Sequence, residues 1–114
     1  MATPRQPLDG LLVADFSRVL AGPYASMALA DLGARVVKIE RTGAGDDTRG
    51  WSPPASPRGS TYFDSVNRNK ESIELDLGDE ADRGLARELA SRADVLIENF
   101  KPARYLMDAL AAAN

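Results

Sequence analysis

The chain has 114 residues, of which 44% are hydrophobic, and its 17 acidic and 14 basic residues leave a net charge of −3. That balance fits one globular domain or a piece of a larger one, and it argues against nucleic acid as a partner, since phosphate backbones attract basic domains. Cysteine and histidine are both absent, which excludes disulfides, thiolate nucleophiles, zinc–thiolate sites and Ser-His catalysis. Residues 1–7 lack an apolar signal core, and no run approaches the ~18 apolar residues of a membrane span, so the expected location is the cytoplasm, with no membrane association.

Leu11-Leu12-Val13-Ala14, ending at Asp15, reads as a strand buried on both faces. Pro23 suits the first turn of a helix running through Leu32, because that position has no intrahelical use for an N–H, and Gly33 is its stop. A second strand follows over 35–39, completing a βαβ-sized unit. Residues 41–60 turn to Gly, Pro, Ser, Thr and charge and read as a long loop, in which Trp51 beside Pro53 and Pro54 suggests packing. Residues 62–66 fit a helical turn, and 72–77 alternate with period two as a strand. Asp79 is an N-cap for a helix through Arg92, with Leu85, Ala86 and Leu89 at helical spacing. Val95-Leu96-Ile97 reads as a fourth strand, and Pro102 starts a last helix. Strands alternating with helices predict an α/β fold, a parallel sheet with helices on both faces. Four strands alone would leave an edge and a face uncovered.

Ligands of open α/β sheets bind at the carboxyl ends of strands, where helix N-termini present free N–H groups. Four polar stretches are candidates, three of them at strand ends and one ahead of a strand. The first, running from Asp15 to Pro23, joins the first strand to the first helix. In the second, Arg41 opens a glycine-rich segment, and its planar fork suits adenine or phosphate. Asp46 and Asp47 are neighbours there, and a turn or capping role suits them better than a carboxylate pair. In the third, Asn67-Arg68-Asn69-Lys70 precedes the period-two strand and reads as a polar connector more readily than as a ligand or subunit contact. In the fourth, Asn99, Phe100 and Lys101 offer an amide, a ring and a charge. Glu40 ends the second strand near where a dinucleotide fold carries its ribose-binding acid, yet Gly-x-Gly-x-x-Gly is missing from the first turn. An NAD-dependent reading therefore fails on composition and on place.

Taken in order, these stretches resemble the start of the family III CoA-transferases, the group of formyl-CoA transferases and, by shared fold, α-methylacyl-CoA racemases. The resemblance rests on Pro7-Leu8-Asp9-Gly10, Asp15-Phe16-Ser17-Arg18-Val19-Leu20-Ala21-Gly22-Pro23 and Leu32-Gly33-Ala34-Arg35-Val36-Val37-Lys38-Ile39-Glu40. It continues through Gly45-Asp46-Asp47-Thr48-Arg49, Asn67-Arg68-Asn69-Lys70-Glu71-Ser72-Ile73 and Ala93-Asp94-Val95-Leu96-Ile97-Glu98-Asn99-Phe100-Lys101-Pro102.

The resemblance implies a Rossmann-like large domain, of which residues 1–114 are the N-terminal part, with 41–60 a long loop and 103–114 an atypical truncated tail. It implies coenzyme A or acyl-CoA as substrate, with a carboxylic acid as partner, no permanently bound cofactor and no metal. It further implies a homodimer for the full-length family. Val19, Leu20 and Ala21 would lie beside the thioester, Arg41 on the nucleotide, and Leu75, Asn99, Phe100 and Lys101 along the rest of the groove. The family's nucleophile is an aspartate that forms an acyl anhydride and then an enzyme–CoA thioester. No aspartate of this chain matches it, so the chain alone is expected to be inactive and no catalytic residue is assigned. Leu20 stands where formyl-transferring members often carry glutamine, Ala103 where relatives carry glycine, and Met107 where they carry a basic residue. A non-catalytic CoA- or partner-binding module and a racemase-like fragment are the alternatives.

Overall fold

A computed structural model describes residues 5–57 and 59–100. The helix expected from Pro102, together with Lys101, Ala103 and Met107, lies outside the described residues.

The elements follow the order β1 (Leu12–Asp15), α1 (Ala21–Asp31), β2 (Arg35–Arg41), a single 3₁₀ turn (Asp47–Gly50), α2 (Thr61–Asn67), β3 (Lys70–Leu75), α3 (Glu80–Arg92) and β4 (Val95–Ile97). The four strands form one sheet in the order β3-β2-β1-β4, and every pairing is parallel. Strand order therefore reverses at β1, whose two neighbours are reached by crossovers in opposite directions. Such a reversal opens a crevice beyond the carboxyl ends of the strands.

The α/β expectation holds, and both faces are covered. On one face α1 packs Ala30 over Val13, Val36 and Ala34. On the other, α3 packs Ala86 and Leu89 against Ala14, Phe16, Val37, Ile39 and Leu75. Helix α3 starts where Asp79 caps it, its carboxylate accepting from the Asp82 N–H at 3.0 Å. The first turn of α1 closes on Leu20, whose carbonyl accepts from the Tyr24 N–H at 2.7 Å. That turn lies so close to β1's end that a Cβ on Gly22 would meet the Ser17 Cβ at 2.3 Å. A side chain at this position would push α1 off the strand tip.

Strand β3 departs from the sequence reading. It begins at Lys70, paired with Val36, and ends at Leu75 paired with Arg41, so Asp76 and Leu77 lie past it. The polar connector is thus partly strand. The reason is a buried charge: the Lys70 side chain is 2% exposed and its ammonium reaches Asp15 at 3.2 Å, the Pro23 carbonyl at 3.0 Å and Asn67 at 2.9 Å. Arg68 and Asn69 of the same connector turn outward to Asp31.

Lys70 belongs to a polar layer under the α1 face. Asp15 accepts from the Ser17 and Ser26 hydroxyls and from the Ser17 N–H. Lys38 donates to the Ser17 carbonyl at 3.0 Å and to Asp46 at 2.9 Å. Glu40 accepts from Ser72, from the Asp46 N–H at 2.8 Å, and from both sides of the Arg49 fork at 2.7 Å. Every buried side-chain polar atom among the described residues has a partner, as buried charges require. This layer holds the long 41–60 loop to the sheet. Asp46 caps the 3₁₀ turn through the Thr48 N–H, as its capping role anticipated. Trp51 lies edge-on to Tyr62 at 5.0 Å, so part of the loop packs as expected, although the indole stays 46% exposed.

Candidate functional site

Beyond the strand tips lies a cleft of about 560 Å³, a size suited to a cofactor-sized ligand. Phe16, Ile39, Leu75, Leu77 and Phe100 supply its apolar surface, while Arg18 and Arg41 line it with guanidinium groups. Each of the four strands contributes: Phe16 and Arg18 follow β1, Arg41 ends β2, Leu75 ends β3 and Phe100 follows β4. The distribution follows from the sheet being parallel, since all carboxyl ends then open on the same side.

The β1–α1 segment is held at both backbone and side-chain level. Asn99 grips Arg18 with both ends of its amide, its Oδ1 accepting from the Arg18 N–H at 3.0 Å and its Nδ2 donating to the Arg18 carbonyl at 2.8 Å. The next residue, Val19, sits at φ 76°, a conformation rare and strained for a β-branched side chain. The Asp46 carboxylate accepts its N–H at 3.2 Å. Burial pushes the Asp46 carboxyl up, but the Thr48 N–H and the Lys38 ammonium outweigh it and hold the group below the usual carboxylate range. The strained turn is therefore anchored by a charge that stays ionised.

Arg41 and Arg18 meet at the cleft's mouth. The Arg41 side chain donates to the Gly45 carbonyl at 3.3 Å through Nε and pairs with Asp47 through Nη2. Arg18 approaches the other oxygen of Asp47 at 3.8 Å. All three side chains are partly exposed, between 35% and 53%, so these ion pairs hold the groups in place weakly.

Among the predicted site residues, Arg41, Leu75 and Phe100 line the cleft together. Asn99 does not line it; it acts on the cleft through Arg18. Val19 is partly buried, Leu20 is 48% exposed and the exposed Ala21 opens α1; none of the three lines the cleft. Lys101 lies outside the described residues. Arg18, Leu77 and Phe16 line the cleft without having been singled out; for Arg18 the available signal was a guanidinium three residues beyond a buried strand-end carboxylate. Glu40, the candidate ribose acid of a dinucleotide site, borders the cleft, but it is only 5% exposed and its carboxylate is bound by Arg49, Ser72 and the Asp46 N–H. Its carboxylate works inside the fold.

Known proteins with the same sequence pattern point one way. The model of the family described as CoA-transferase family III matches residues 8–111. A succinyl-CoA:glutarate CoA-transferase from Mus musculus is 52% identical over 99 residues, covering 87% of this chain and 23% of its own length. An acetyl-CoA:oxalate CoA-transferase from Acetobacter aceti is 54% identical over 101 residues, covering 89% of this chain and 26% of its own. Among solved structures, a CAIB/BAIF family protein from Brucella suis superimposes with a TM-score of 0.85 at 42% identity, over 97% of this chain and 32% of that one. The chain thus spans about a quarter of the length of the curated relatives it matches.

Proposed function

Because the chain belongs to CoA-transferase family III, we propose that its protein moves coenzyme A from an acyl-CoA thioester to a carboxylic acid, and that these residues form the CoA-holding side of the site. The observation carrying this reading is the cleft itself, in which Leu75 and Phe100 give apolar contact while Arg18 and Arg41 stand at the mouth. Coenzyme A has the matching division: a pantetheine arm that wants apolar walls and phosphates that want guanidinium forks. Val19, Leu20 and Ala21, at the strained turn, would lie toward the thioester, where the leading N–H groups of α1 favour a developing oxyanion. Lys101 completes the set as a candidate third cation beside Arg18 and Arg41.

The nucleophile is assigned to no aspartate here. Asp15 and Asp46 are at most 1% exposed and fully engaged by Ser17, Ser26, Lys70, Lys38 and Thr48. Asp47 is paired to Arg41 and Arg18. A carboxylate already bound by several donors is a poor nucleophile, which argues against these three; that no aspartate here matches the family's nucleophile supports one elsewhere in the protein and an inactive 114-residue chain. The relatives' names pair succinyl-CoA or acetyl-CoA with dicarboxylic acids, and a dicarboxylate acceptor is part of the proposal. So are a cytoplasmic location and a homodimer, the latter supported by the exposed Tyr24 on α1 and by Trp51. Among the described residues no helix is long and apolar enough to cross a membrane.

Calorimetric titration of CoA into this chain is the test. Binding in the micromolar range is expected, with Arg41→Ala weakening it by roughly fivefold to tenfold, the ~1–1.4 kcal/mol of one partly exposed charge-assisted contact. Equal affinity of the two proteins would remove Arg41 from the site.

A further inference from the structure

The pairing at the cleft's mouth has an unusual third member. Asp47 stands between Arg18 and Arg41, one oxygen toward each guanidinium. It is not among the residues lining the cleft. Nor does it carry the 3₁₀ turn, which Asp46 caps through the Thr48 N–H and hydroxyl. Among the described residues its carboxylate meets only those two arginines, and 41% of its side chain is exposed. Its contacts are thus those of an anion lodged between two cations beside a ligand cleft, with no buried group depending on it.

Resting on the reading that the cleft takes coenzyme A, we propose that Asp47 is a built-in competitor: it occupies the anion position between Arg18 and Arg41 until a ligand phosphate displaces it, and so sets how tightly phosphate-bearing ligands are held. A phosphate monoester or diphosphate brings more charge and more acceptor oxygens than a carboxylate, and both forks can turn to it. Displacing Asp47 costs little because exposed ion pairs are weak. Its residual negative charge nevertheless opposes the incoming phosphate, so the site discriminates for ligands able to outcompete a carboxylate. Asp47 is a positioning and selectivity residue on this account and touches no reacting atom.

The test is titration of CoA and of 3′-dephospho-CoA into the unaltered chain, Asp47→Asn and Asp47→Glu, at low and high salt, with thermal melts of all three. Asp47→Asn is expected to melt with the parent and to bind CoA about fivefold more tightly, the effect of removing one exposed charge of roughly 1 kcal/mol. The gain should shrink at high salt, and Asp47→Glu, which keeps the competing charge, should bind like the parent. A gain larger for CoA than for 3′-dephospho-CoA would identify the 3′-phosphate as the displacing group; an equal gain would identify the diphosphate. CoA binding that is unchanged or weakened in Asp47→Asn would overturn the inference alone, showing that Asp47 holds Arg41 ready for the ligand. Absence of CoA binding in every protein would overturn the inference together with the reading beneath it.

Discussion

Replacing Lys38 by Met is expected to destabilise the chain by about 3–5 kcal/mol, the cost of leaving a buried charge without its partner. Lys38 is 1% exposed and Asp46 is equally enclosed, and the ammonium also satisfies the Ser17 carbonyl at 3.0 Å. Met fills nearly the same space, so the loss would come from charge and hydrogen bonding and not from a cavity. Proteins of this size hold only about 5–15 kcal/mol of net stability, so urea unfolding should show a large drop in midpoint. The double variant Lys38→Met with Asp46→Asn should recover part of it, because no buried charge is then left unpaired, while the Ser17 carbonyl still lacks its donor. A single-variant loss under about 1 kcal/mol would mean that Asp46 is sustained by Thr48 and the Val19 N–H without the lysine.

Arg49→Met should cost about 3 kcal/mol near neutral pH, at the low end for such pairs because the guanidinium is partly exposed. The loss should also carry a pH signature. Burial pushes the Glu40 carboxyl up, but the Arg49 fork, the Ser72 hydroxyl and the Asp46 N–H outweigh it and bring it from 4.5 to about 2. A carboxyl lowered by folding stabilises the native state above its unfolded value, and that contribution fades as pH falls from about 4.5 toward 2. Without Arg49 the folded value rises and the fading stops. Denaturation curves of the two proteins should therefore differ most above pH 4.5 and converge below it. A gap that stays constant across this window would assign the loss to the stacking of Arg49 on Phe63, 3.9 Å from the ring, and not to the charge.

Much of the scaffold was legible because three strands are apolar runs. The strands of Val13-Ala14 and Val95-Leu96-Ile97 sit within one residue of where their composition puts them, and the one through Val36-Val37 runs two residues past its expected end, to Arg41. Helix α3 announced itself through its Asp79 cap, although Leu85 points outward and only Ala86 and Leu89 of its expected stripe reach the core. What escaped was the polar layer. Lysine and glutamate read as surface residues, and only the three-dimensional fold brings Lys70 to Asp15, 55 residues away, or Arg49 onto Glu40. Those partners make a polar connector the start of β3 and turn a loop of glycines and prolines into an anchored segment.

The candidate site divides the same way. Arg41 and Phe100 stood at or beyond expected strand ends, whereas Leu75 fell mid-strand in the 72–77 reading and was named by the resemblance alone; all three line the cleft. Arg18 was not, since its role depends on Asn99, 81 residues further on, gripping its backbone, and on Asp46 holding the strained Val19. Asn99 was expected along the groove, and its amide closes on the turn that presents Arg18. Cleft-lining residues near strand ends are legible in local sequence; the residues that position them are not.

The most direct measurement is the mapping of amide chemical shifts while CoA is added to isotope-labelled chain. The account predicts perturbations clustered at residues 16–18, 41–42, 75–78 and Phe100, drawn from all four strand tips. Shifts gathered instead around Phe63, Asn67 and Arg68, on the α1 side of the sheet, would contradict it.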